Sequence, residues 1–116
     1  MYEYRATILR HIDSDTSWIS CDVGFDTHIK MTVRWAGINA PEMSTPEGVT
    51  ARKALFDRLP EGSTCTLRTI KDKKEKFGRY LGIFTDAEGT NLNDWLVKSG
   101  HAVVYGKEVH GSNLET

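Results

Sequence analysis

The chain has 116 residues, 39% of them apolar, and a formal net charge of -1, enough for one domain around one core with no surplus for a second. No window approaches the roughly 18 to 20 consecutive apolar residues that span a bilayer, and the opening MYEYRATILRHI alternates like a strand instead of reading as a basic stretch followed by an apolar core. The expectation is a soluble, cytoplasmic protein without a signal peptide. Cys21 and Cys65 lie in strand-like segments with no CxxC or Cys/His spacing, which predicts buried free thiols in a reducing compartment ahead of a zinc site or disulfide framework.

In chain order, Tyr2 to Ile12, Trp18 to Phe25 and His28 to Ile38 are rich in Tyr, Thr, Val, Ile and Trp. Turn-forming stretches separate them, DSDT at Asp13 to Thr16 and the segment around Asp26, so they predict an antiparallel meander. A helix should follow. Pro46 stands near its start, Ala51, Leu55 and Leu59 repeat at helical spacing beside Ala54, and Pro60 and Gly62 stop it. Arg52, Lys53 and Asp57 occupy its opposite face. Two more strands are predicted, Thr64 to Ile70 and Arg79 to Phe84, and after the turn DAEG, Asn91 caps a short helix that buries Leu92, Trp95 and Leu96 and ends at Gly100. The pattern predicts a mainly β protein, a five-stranded OB-fold barrel with one helix between strands 3 and 4 and another after strand 5. Residues 1–105 read as the single domain and 106–116 as a tail poorly committed to structure.

Charge is distributed unevenly. Between Arg68 and Arg79 stand six basic side chains against Asp72 and Glu75, a local excess of four positive charges in a chain of net charge -1. Such a strip would draw in a polyanion, with a binding strength that falls as salt rises. It would equally serve as a solvated hairpin that keeps an exposed strand edge soluble. Lys73, Lys74 and Lys76 are its candidate nucleic-acid contacts.

Asp15, Arg34, Glu42 and Arg79 form a set able to hold a divalent cation, deprotonate a water and clamp a phosphate, so phosphodiester hydrolysis is the chemistry they point to. Asp15, in the acidic turn after the first strand, reads as a hard oxygen ligand for calcium or as a residue capping its own turn. Asp13 adds negative potential beside it. Glu42 follows Pro41 where the chain turns toward the helix, placed to activate a water or merely to complement the helix dipole. Arg34 lies in a strand whose residues should face the core, where an unpaired charge costs several kcal/mol, so it requires a partner or a ligand. With Arg79 it makes two forked donors suited to phosphoryl oxygens, which lysine cannot imitate. Exposed arginines paired with surface acids are the alternative.

The runs DSDT, VRWAGINAPE, KFGRYLGIF and NLNDWLVKSGHAVVY, in that order, resemble the staphylococcal nuclease-like (thermonuclease-like) family over about Ala6 to Tyr105. The resemblance implies an OB-fold endonuclease that uses one calcium ion to cut DNA or RNA with little sequence preference, leaving a 5′-hydroxyl and a 3′-phosphate. It implies catalytic roles for Arg34, Glu42 and Arg79, and metal ligation by Asp15, Asn39 and the backbone carbonyl of Ala40, with Asp13 behind them. Three positions depart from the family pattern. Asn39 replaces a common second aspartate and brings no charge, Ala40 replaces a frequent threonine, and Phe77 replaces a tyrosine, so a phenolic phosphate contact is lost while stacking remains. The chain also ends soon after Tyr105, without the further helix of longer members, and an apolar patch left there could be covered by a partner or a second copy in a homodimer. A non-catalytic OB-fold nucleic-acid-binding module with a weakened metal site is the alternative function.

The four histidines, His11, His28, His101 and His110, show no ligand spacing and read as surface or packing residues. Trp18, Trp35 and Trp95 are expected to pack the barrel or its helices. Tyr105 reads either as a base-stacking residue or as part of the barrel edge.

Overall fold

The computed structural model describes residues 2–74 and 79–105, and only the backbone of 71–74. Its elements are β1 (Tyr2–Asp13), β2 (Thr16–Asp22), β3 (His28–Trp35), β4 (Ile38–Asn39), α1 (Pro46–Arg58), β5 (Thr64–Lys74), β6 (Tyr80–Thr85), α2 (Leu92–Lys98) and β7 (Val103–Val104). Five strands close into a barrel in the order β1-β2-β3-β6-β5. All pairs are antiparallel except β3 with β6, where Val33, Arg34 and Trp35 run alongside Tyr80, Leu81 and Gly82. The mainly β, OB-type architecture expected from the pattern is therefore present, with α1 between the third and fourth barrel strands.

Period-two alternation builds the barrel interior. Ser17, Ile19 and Cys21 of β2 point inward, and so do Ala6 and Ile8 of β1 and Val33 and Trp35 of β3. Trp35 stacks on Phe84 with ring centroids 4.1 Å apart. Leu55 and Leu59 from the α1 side and Leu92 and Leu96 of α2 complete the same core. Both cysteines are free and buried, and burial pushes the Cys65 thiol up to about 12. No helix among the described residues is long and apolar enough to cross a membrane.

Several expectations need correction. The second strand stops at Asp22 because Gly24, Phe25 and Asp26 all adopt positive φ and turn the chain. The third breaks after Trp35, since Gly37 at φ 77 diverts the backbone, and Ile38–Asn39 pairs instead with β7. A two-residue strand such as β7 leaves no periodicity to read. Trp18 does not pack in the barrel: it lies on the outer face, 36% exposed. Asn93, which no sequence pattern marks, is fully buried. Its amide donates to the carbonyls of Ala36 (2.9 Å) and Gly82 (3.1 Å) and its oxygen accepts from Phe84 N (3.0 Å), tying α2 to the end of the β3–β6 seam.

Candidate active site

The site grows from the β1–β2 hairpin. β1 carries irregularities between Ile8 and Arg10 and between His11 and Asp13, which bend the strand where it enters the two-residue turn. Asp13 takes the capping role, accepting from Asp15 N at 3.0 Å. That frees the Asp15 carboxylate to reach across the fold, where Oδ2 accepts from Ala40 N at 3.0 Å and Oδ1 from the Thr16 hydroxyl at 3.3 Å. Trp35 N in turn donates to the Asp15 carbonyl at 2.8 Å, fixing the turn against the end of β3. Burial, then the neighbouring Asp15 carboxylate, raises the Asp13 carboxyl to about 6.

Thr16 is the junction. It is buried, pairs with Arg34 in the β2–β3 register, and accepts from Arg79 Nη1 at 3.1 Å while donating to Asp15. Asp15 and Arg79 of the predicted set thus meet at one hydroxyl, with Arg34 across from it on β3. Thr16 stands inside the DSDT run, but nothing in a threonine's chemistry singled it out.

Arg34 is only 8% exposed. Its position alternates with Val33 and Trp35, so it leaves the barrel on the outer face, and the strand does not bury it in the core as the sequence suggested. Nη2 donates to Ile38 O at 2.8 Å and Nη1 to Trp35 O at 3.3 Å, and the guanidinium lies 5.1 Å from the centre of the Tyr105 ring. The Trp35 and Ile38 carbonyls and the Tyr105 π face are among the contacts that hold it. The β4–β7 pair, Asn39 with Val103, delivers Tyr105 to that place.

Glu42 is exposed on the loop between β4 and α1. Its backbone is held tightly: the carbonyl accepts from Thr45 N at 3.0 Å and Thr45 Oγ1 at 2.7 Å, while the same threonine oxygen caps α1 by accepting from Gly48 N at 3.0 Å. Gly48 is buried against that loop, and a Cβ there would stand 1.9 Å from the Glu42 carbonyl oxygen. Only glycine allows this approach.

Asn39 is exposed and Ala40 half-buried beside Asp15. No cluster of three or more His, Cys, Asp or Glu capable of holding a metal occurs among the described residues. Asp15 itself offers a carboxylate whose Oδ1 and Oδ2 accept from Thr16 and Ala40, with the Asp13 carboxyl hydrogen-bonded beside it, and Asn39 adds an amide oxygen nearby in the chain. That chemistry fits one hard cation completed by water, held more weakly than by two carboxylates. Lys73 and Lys74 lie in β5 with side chains outside the described residues, as are Lys76, Phe77, His110 and the tail 106–116. Of the other histidines, His28 is exposed near Asp22, His101 stands beside Trp95, and His11 is buried.

Comparison with known proteins points to one family. The family described as Staphylococcal nuclease homologue matches residues 32–115. The chain is 31% identical over 114 residues to "Endonuclease YhcR" of Bacillus subtilis (strain 168), covering 89% of this chain and 9% of that protein. It is 28% identical over 98 residues to an "Uncharacterized endonuclease" of Escherichia coli O157:H7, covering 84% of this chain and 59% of that one. The chain thus spans less than two thirds of either relative. The barrel, the order of its motifs and the extent of the family match together place this chain in the staphylococcal nuclease family.

Proposed function

We propose that this chain is a nuclease, a hydrolase that cuts phosphodiester bonds within DNA, RNA or both. The observation that carries the reading is the Thr16 hydroxyl, which joins Asp15 to Arg79 on the rung opposite Arg34. Arg79 reaches the edge of Asp15 through that hydroxyl while Arg34 stands across from Thr16 on the neighbouring strand, an arrangement suited to a phosphate. The names of the two endonuclease relatives support the same class.

In this reading Arg34 and Arg79 bind the phosphate. Their donors stay fixed as charge builds on its oxygens, which lowers the barrier without reorganisation. Glu42 takes a proton from a water whose oxygen bonds to phosphorus. The bond from phosphorus to the 5′ oxygen breaks, the departing oxygen takes a proton from solvent water, and the products are a 5′-hydroxyl and a 3′-phosphate. Asp15, Asn39 and the Ala40 carbonyl would hold a calcium ion, which when bound supplies positive charge beside the phosphate. Asp13 supports Asp15 by fixing its turn. Lys73, Lys74, Lys76 and Phe77 are assigned to nucleic-acid contact from the sequence alone.

The test is cleavage of single-stranded DNA, duplex DNA and RNA with added calcium and with a chelator. Calcium-dependent cleavage is expected. Binding without cleavage would make the chain an OB-fold binding module with a metal site too weak for turnover, and cleavage that persists in chelator would remove calcium from the mechanism.

A further inference from the structure

The three tryptophans have different fates. Trp35 is stacked on Phe84 inside the barrel, and Trp95 lies beneath the Arg58 guanidinium at 5.2 Å. Trp18 remains 36% exposed on the outer face of β2, with no aromatic ring or guanidinium among the described residues stacked on it. Its position relative to the site is fixed by register. Thr16 pairs with Arg34, and two residues further along the same strands Trp18 pairs with Thr32. Residues two apart in a strand point to the same side, about 7 Å from each other. Trp18 therefore stands on the same face as Thr16 and Arg34, one rung away, a step comparable to one extended nucleotide.

The surroundings of the ring select its ligand. Arg10 lies directly across from it on β1, and Ser20 on β2 pairs with Lys30 of β3 in the following rung. Arg10 and Lys30 are both exposed, and with Arg34 across from Thr16 they put three cations on the rungs at and beside Trp18, against the one carboxylate of Asp13 on the other side of Thr16. An indole face flanked by cations suits a flat, anionic polymer of aromatic units, with the ring stacking on a base and the cations meeting its phosphates. The outer β2–β3 surface is also the side on which OB barrels commonly take oligonucleotides.

We propose that Trp18, flanked by Arg10 and Lys30, is a stacking site for an unpaired nucleobase next to the scissile phosphate. The proposal rests on the nuclease reading for its scissile phosphate, but the stacking itself needs no turnover. It extends the substrate track from Arg34 and Thr16 along the outer face of β2 and β3, and it favours single-stranded over duplex nucleic acid because a paired base keeps its faces within the stack.

The experiment measures binding of fluorescent oligo-dT and oligo-U to the full chain in chelator, by anisotropy, for wild type, Trp18→Ala and Trp18→Phe. Trp18→Ala should weaken binding about 5- to 100-fold, the range of one lost base stack, and Trp18→Phe should restore most of it. Equal losses for both oligomers point to base stacking alone, and a larger loss for one identifies the preferred nucleic acid. Photo-crosslinking of iodouracil-substituted oligomers to the wild-type protein, with the adduct located by mass spectrometry, tests the same contact without any substitution and should label the peptide containing Trp18. Unchanged affinity in Trp18→Ala, or adducts only elsewhere, would overturn the proposal. Trp18-dependent binding in a chain that never cleaves would leave it standing and remove the nuclease reading instead.

Discussion

Thr16 shows how much of this site rests on a residue with no catalytic chemistry of its own. Its hydroxyl donates to Asp15 and accepts from Arg79, so Thr16→Val, nearly the same shape, deletes both contacts from a buried position. Two such bonds to charged groups contribute about 1.5–3 kcal/mol each at most, and a 10- to 100-fold loss in kcat/KM is expected from steady-state cleavage. Asn39 presents the opposite case, a proposed ligand that brings no charge. Asn39→Asp should tighten calcium binding, and unchanged affinity by calorimetry would show that position 39 does not ligate. His11 belongs to stability. Trp35 Nε1–H donates to Ser17 Oγ at 2.9 Å, so the serine hydrogen is free to go to His11 Nδ1 at 2.8 Å, and His11 Nε2–H donates to Leu59 O at 2.7 Å. Only the neutral ring satisfies every partner. Burial, chiefly, lowers its pKa below 6.5. The unfolded chain therefore takes up the proton first: stability is intact above about 6.5 and falls as pH drops from there toward the lowered folded value, by up to about 1.4 kcal/mol per pH unit. Thermal midpoints against pH should show that slope in the wild type and lack this component in His11→Gln.

At the scale of elements, α1 works through its first turn. Thr45 caps the helix and clamps the Glu42 carbonyl with the same side chain, and Gly48 lets the helix press against that carbonyl. Gly48→Ala would ordinarily favour a helix interior by about 1 kcal/mol. Here the added methyl meets backbone atoms at 1.9 and 2.5 Å, so the loop must move. The expected outcome is a kcat reduced at least 10-fold with KM changed far less, since displacing Glu42 affects the chemical step more than phosphate binding. Helix existence was legible because Ala51, Leu55 and Leu59 repeat and Pro46 and Pro60 bracket them. The clamp was not, because a steric contact between Gly48 and Glu42 leaves no mark on periodicity. Asn93 and His11 escaped for a related reason: their partners lie as far as 57 and 48 residues away in sequence, and a polar residue inside an apolar stripe does not announce which carbonyl it will reach.

Across the whole molecule, the barrel converts alternating strands into two surfaces, an apolar interior and an outer face on which Thr16, Trp18, Thr32 and Arg34 share one side. The fold was legible in the sequence because alternation and turn residues act locally. Asp15, Arg34, Glu42 and Arg79 could be singled out because charged side chains beside strand-rich segments stand out from the apolar pattern, while the Thr16 hydroxyl that joins Asp15 to Arg79 required the fold. The outward direction of Arg34 and the exposure of Trp18 required the register, which depends on pairings across the barrel. The central claim, that Glu42 activates water beside a phosphate held by two arginines, is tested most directly by the single-turnover cleavage rate of Glu42→Gln against wild type in saturating calcium and nucleic acid. A fall of about 10²- to 10⁴-fold with unchanged substrate affinity is predicted, and a variant that cleaves at the wild-type rate would contradict it.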